Sequence, residues 1–125
     1  MKKTIHPSSE QLEALDKVPT DVPVVMVNLL KFKDERDEES GRMAYARYAE
    51  KAIPYISKVG GKLIWRGQPQ MALIAPEEET LWDEMLLVSY PNVLSFRDMI
   101  QLPGYPHHLR ASALEDSRLI VCTGS

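Results

Sequence analysis

The chain has 125 residues, 44% of them hydrophobic and 26% charged, which suits one domain with a real core and is too short for two. Its net charge of −3 comes from signs mixed along the chain, which argues against the clustered Lys and Arg that a grip on DNA, RNA or anionic lipid requires. No apolar run approaches the ~20 residues of a membrane span, and Met1-Lys2-Lys3 lacks the apolar core of a signal peptide behind it, so the expected location is cytoplasmic.

Pro7-Ser8-Ser9-Glu10-Gln11 reads as a helix start. Ser8 can cap the amide of Gln11 while the Gln11 side chain reaches back, and Leu12, Leu15 and Val18 follow on one side before Pro19. Val24 to Phe32 is β-branched and apolar at both parities, the pattern of a strand covered on both faces. Residues 33–41 are charged without periodicity and read as a solvated loop; they lack the spaced ligands and central glycine of a calcium loop.

The longest coherent signal follows. Tyr45, Tyr48, Ala49, Ala52, Ile53, Ile56 and Val59 recur at spacings of three and four, which lays one apolar stripe along a helix. Pro54 lacks an amide hydrogen and is expected to bend or restart that helix. Gly60 can adopt the left-handed cap, and Gly61 helps the chain reverse into a strand from Leu63 to Gly67. Met71 to Ala75 is a second apolar run, expected as another short strand after the proline bend at Pro69.

Trp82 to Tyr90 is the next strand, with Trp82, Leu86, Val88 and Tyr90 on one face and Met85 and Leu87 on the other. Asn92 caps a helix carrying Val93, Phe96 and Ile100, which ends at Leu102-Pro103-Gly104. A short helix from Pro106 to Leu114 and a last strand from Ser117 to Thr123 complete the chain. Cys122, the single cysteine, can form no internal disulfide and no cysteine-rich zinc site, and reads as a buried small hydrophobe.

Strands outnumber helices, and the helices are too few to cover both sides of one sheet whose strands are apolar on both faces. The resolution is a ferredoxin-like α+β fold: an antiparallel sheet with helices on one face and a second copy of the sheet against the other, hence a homodimer. Residues 1–22 are expected as an appended N-terminal helix and lead-in, and residues 23–125 as the single domain.

Tyr45-x-x-Tyr48, Pro54, Gly60-Gly61, Trp65-Arg66-Gly67, Trp82, Tyr90-Pro91, Phe96, Pro103-Gly104-Tyr105, Arg110 and the closing strand ending in Gly124 together resemble the DUF1330 family. The resemblance covers about residues 24–124. It implies membership of the dimeric α/β-barrel superfamily, on whose architecture cofactor-free oxygenation, isomerisation and haem-related chemistry are possible.

The candidate chemistry centres on a few polar groups. His107 and Arg110 share a helix face, and either bind an anion or carboxylate, with His107 moving a proton, or tie this helix to the rest of the fold. His107 and His108 diverge by about 100° and do not chelate one ion, so no metal site is expected. Asn28, a polar amide in an apolar strand, either bonds a neighbouring side chain or faces a cavity. Trp65, Tyr48 and Tyr90 are core residues or pocket walls, and Arg66 is placed to pair with Asp83 across neighbouring strands.

Two functional expectations result. One is a homodimeric, cofactor-free enzyme acting on a small organic molecule, with Asn28, His107 and Arg110 as catalytic residues and Trp65, Arg66, Tyr90 and Tyr48 as ligand contacts. The other is a non-catalytic ligand-binding or structural dimer.

Overall fold

Val24–Phe32 forms β1, and its pairing on both sides makes it the centre of the molecule. In the computed structural model, which describes residues 3–34 and 40–124, the four strands run in the order β2-β3-β1-β4 with every neighbour antiparallel. The elements are α1 (Ser9–Ala14) with a 3₁₀ turn at Leu15–Lys17, β1, α2 (Gly41–Lys58), β2 (Lys62–Gly67), β3 (Glu84–Tyr90), α3 (Val93–Ile100), α4 (His107–Ala113) and β4 (Leu114–Thr123). Most of the charged stretch read as a solvated loop, residues 35–39, lies outside the described residues.

One face of the sheet is buried under the helices. Val24, Met26, Leu30 and Phe32 of β1 point there, with Leu86, Val88 and Tyr90 of β3 opposite or beside them. Burying these side chains stabilises the fold at roughly 25 cal/mol per Å² of apolar surface removed from water. Among the described residues no helix lies over the other face, which agrees with the expectation of helices on one face of the sheet. Val25, Val27, Leu29, Met85 and Leu87 are half-buried there and Ile120 is exposed. Cys122 pairs with Val25 on this open face and is exposed too, not buried as expected.

The local chemistry of the helices follows the residues. Ser8 Oγ accepts from the Gln11 amide at 3.1 Å and Gln11 Oε1 from the Ser8 amide at 2.9 Å, the reciprocal capping box. Asn92 Oδ1 accepts from the Ser95 amide at 2.9 Å. Gly60, at φ 82°, closes α2 with the Gly61 amide bonded to the Ile56 carbonyl at 2.8 Å. Helix α2 does not restart at Pro54 but runs through it. Residue 50, whose carbonyl loses its partner to the proline, lies on the same exposed side as Pro54, where water can take the bond.

Ile53, placed on the buried stripe by spacing, is 57% exposed. Tyr45, Tyr48 and Ala52 carry the stripe instead. Met71–Ala75 is not a strand: residues 68–83 form a long irregular segment in which Met71, Leu73 and Ile74 are exposed.

The N-terminal segment is tied to the start of β4. The Ser117 amide and hydroxyl donate to the Thr4 carbonyl at 2.9 and 2.8 Å, the Thr4 amide donates to Asp116 Oδ1 at 2.8 Å, and Lys3 pairs with Glu115. Leu15 and Val18 pack into the same core as Met26 and Val88. Burial opposes ionisation of Asp116, but the Thr4 amide, Arg118 and the Ser117 amide outweigh it and hold the carboxyl below its ordinary range. A depressed folded-state pKa stabilises above the unfolded pKa of ~3.9 and is lost as pH falls through the folded value. Asp116→Ala is therefore expected to cost about 1–3 kcal/mol in urea unfolding at neutral pH. The gap from wild type should shrink below about pH 4, and a gap that persists there would contradict the account.

Candidate functional site

Tyr45 and Tyr48 sit three apart on the buried face of α2, and this spacing brings their rings to 5.2 Å between centroids, tilted by 55°. Phe32 lies against Tyr45 at 5.6 Å and Tyr105 against Tyr48 at 6.3 Å, so aromatic rings run from the end of β1 to the start of α4. The Tyr48 and Tyr105 hydroxyls share one hydrogen bond at 2.5 Å. Tyr105 also contacts Tyr55 edge-on at 5.5 Å and the His107 ring at 4.6 Å.

Burial pushes the Tyr45, Tyr48, Tyr90 and Tyr105 phenols up from their ordinary range, because ionisation would place an anion in an apolar layer. The Arg110 guanidinium opposes this at Tyr45, Tyr48 and Tyr105 without cancelling it. At neutral pH these groups are neutral phenols, able to donate or accept a hydrogen bond and poorly suited to act as bases.

Arg110 donates through an η nitrogen to the Ile5 carbonyl at 3.1 Å. His107 Nε2–H donates to the Ile100 carbonyl at 2.8 Å, tying α4 to the end of α3. Tyr90 is buried, with its hydroxyl 3.7 Å from Met99 Sδ and its ring edge-on to Phe96. Tyr48 and His107 thus contact Tyr105 directly, and Tyr90 belongs to the core cluster against which Tyr105 packs. Beside them Pro54, Tyr55, Lys58, Leu102 and Pro103 line an open groove of about 360 Å³.

The other sequence-predicted residues lie elsewhere. Asn28 is on the helix side of β1, and its Nδ2 donates to the Met26 carbonyl of its own strand at 3.3 Å. Trp65 is 52% exposed and pairs with Leu87 on the open face. Arg66 does not pair with Asp83. The β2–β3 register shifts between Leu63 and Trp65, which places Arg66 opposite Leu86 on the helix side, where its Nε lies 3.4 Å from Glu84. Asp83 instead pairs with Lys31 at 3.3 Å and accepts from the Phe32 amide at 2.9 Å.

Glu84 was missed by the sequence reading. Its carboxylate is 2% exposed and lies 3.2 Å from Arg42 and 3.4 Å from Arg66, with the Arg42 guanidinium stacked 4.6 Å over the Phe32 ring. A signal for it existed: Glu84 shares the parity of Leu86, Val88 and Tyr90, and a carboxylate at a buried parity requires a cation. Tyr105 was also missed, since a tyrosine after Pro-Gly carries no periodicity.

The sheet order and the helices on one face define a ferredoxin-like α+β protein. Two distant solved structures share this fold. One is a dimeric protein of unknown function from Bacteroides fragilis NCTC 9343, at TM-score 0.56 and 13% identity, over 85% of this chain and 100% of that one. The other is SnoaB, a cofactor-independent oxygenase from Streptomyces nogalater, at TM-score 0.55 and 14% identity, over 83% and 94%. No family model and no curated protein matches the chain.

A nearer likeness is RPA0582 of Rhodopseudomonas palustris, a protein of unknown function, at TM-score 0.88 and 33% identity over 99% of this chain and 98% of that one. The chain belongs to the RPA0582 family. Among the described residues, no helix is long and apolar enough to cross a membrane.

Proposed function

We propose that this protein is a cytoplasmic, DUF1330-like homodimeric module in which the open sheet faces of two copies pack together. The carrying observation is the open face itself, where Val25, Val27, Leu29, Met85 and Leu87 form an apolar centre with no helix above them. Lys31, Asp83, Asp116 and Arg118 give it a charged rim at one end. An apolar centre with a charged rim is the usual anatomy of a protein interface. The dimeric Bacteroides fragilis protein of the same fold is consistent with this.

A second reading, a cofactor-free enzyme acting on a small organic molecule, is favoured by the Tyr48–Tyr105 hydroxyl pair beside Arg110 and the adjoining groove. In this reading Arg110 anchors the molecule, the phenols donate hydrogen bonds to it, and His107 moves a proton. Tyr90 borders this cluster, whereas Asn28, Trp65 and Arg66 stand apart from it and take no part. SnoaB shows that this architecture can host such chemistry in another protein.

Native mass spectrometry on protein purified without added ligand separates the readings. A bare dimer that becomes monomeric on Ile120→Asp, with unchanged circular dichroism, is the expected result. A retained mass of one small molecule per subunit, lost in Arg110→Gln, would move the conclusion to the enzyme. A wild-type monomer at all concentrations would remove the dimer.

A further inference from the structure

Residues 68–83 leave the sheet after β2 and return to it at β3. The segment holds three large apolar side chains almost entirely in solvent: Met71 at 67%, Leu73 at 83% and Ile74 at 94% exposed. Single exposed apolar residues are ordinary, but three within four positions on an irregular segment need cover. Both roots of the segment lie on the open face. Gly67 sits beneath the Trp65 ring, so close that an added Cβ would fall 2.3 Å from a ring carbon, and Trp82 returns with Arg118 stacked 5.1 Å over its ring. Trp65 pairs with Leu87 and Arg118 with Leu29, both on that face. The segment therefore borders the surface that a second sheet must approach.

The size of the sheet face bears on the occupant. Four strands ~4.8 Å apart and about seven residues long at ~3.3 Å each present roughly 440 Å² of flat sheet. A stable interface takes about 800 Å² of accessible surface from each partner, so apolar side chains at the margin of the sheet add to what the sheet offers. Three large aliphatic side chains, each removing roughly 60–120 Å² of apolar surface from water, supply such an addition.

We infer that residues 68–83 are a dimerisation arm, which in each copy lies across the second copy and buries Met71, Leu73 and Ile74 against it. This deepens the homodimer reading and rests on it. Each subunit then contributes both a sheet face and an arm, and the two contacts repeat by two-fold symmetry.

The test uses the full chain. Sedimentation velocity gives the dimer Kd of the wild type and of a variant carrying Met71→Ser, Leu73→Ser and Ile74→Ser. A photo-crosslinking Leu73→p-benzoylphenylalanine variant, unlabelled, is separately mixed with isotope-labelled wild type. The expected results are a wild-type dimer, a Kd weakened at least about 100-fold in the serine variant with unchanged circular dichroism, and crosslinks joining labelled to unlabelled peptides. A serine variant with wild-type Kd, or crosslinks confined to peptides of one label, would overturn the arm and leave the dimer standing. A wild-type monomer would overturn both.

Discussion

Replacing Arg42 and Arg66 together by Ala is expected to destabilise the fold by about 3–5 kcal/mol, the cost of leaving a buried carboxylate without its partners. Glu84 is 2% exposed, whereas the Arg42 and Arg66 side chains are 46% and 58% exposed. The asymmetry decides the direction. The arginines can be hydrated without Glu84, but Glu84 cannot be hydrated where it is, so losing the cations costs more than losing the anion. Adding Glu84→Met to the double variant should recover most of the loss, because an apolar side chain of similar size needs no partner. Urea unfolding measures all three, and Arg66→Ala alone covers the case in which the double variant does not fold. A double variant within 1 kcal/mol of wild type would show that the carboxylate is not held by this pair.

Gly41→Ala is the second large effect, and two principles disagree about its sign. Helix propensity favours Ala over Gly by up to ~1 kcal/mol in a helix interior. Packing opposes it: a Cβ at residue 41 would stand 2.4 Å from the Lys33 carbonyl oxygen, 2.6 Å from the Lys33 nitrogen and 2.7 Å from the Ala113 carbonyl oxygen. All three are backbone atoms and cannot rotate away. The same residues are already tied together, the Gly41 amide donating to the Lys33 carbonyl at 3.1 Å and the Lys33 amide to the Ala113 carbonyl at 3.0 Å. Displacing them would separate the start of α2 from the ends of β1 and α4. A net loss of about 1–3 kcal/mol is expected from thermal or urea unfolding. A variant as stable as wild type would mean that the start of α2 yields easily.

Neither effect follows from the chain read in one dimension. Gly41 sits in a charged stretch that sequence alone treats as a loop, and only the meeting of Lys33 with Ala113 makes the absence of a side chain necessary there. Arg66 and Glu84 are eighteen positions apart, and their pairing depends on the one-residue register shift in β2.

What the sequence by itself determined are the features set by neighbours a few residues away. The bounds of β1 follow from its β-branched run, the caps at Ser8, Asn92 and Gly60 from local hydrogen bonding and a positive φ, and the tyrosine stripe of α2 from its period. The element order then pointed to a ferredoxin-like sheet with one face under helices. Tertiary structure decided the rest, because it depends on which strand edges and faces meet. The bulge at Ile64 separates Leu63 from Trp65 and sends Arg66 to the helix side, an outcome that strict alternation cannot show. Contact between α2 and α4 gathers Tyr48, Tyr105, His107 and Arg110, while Asn28 bonds its own strand. The run at Met71–Ala75 is apolar enough for a strand, yet within one chain no strand edge receives it, and so the sequence could mark it as needing cover but not say what supplies it.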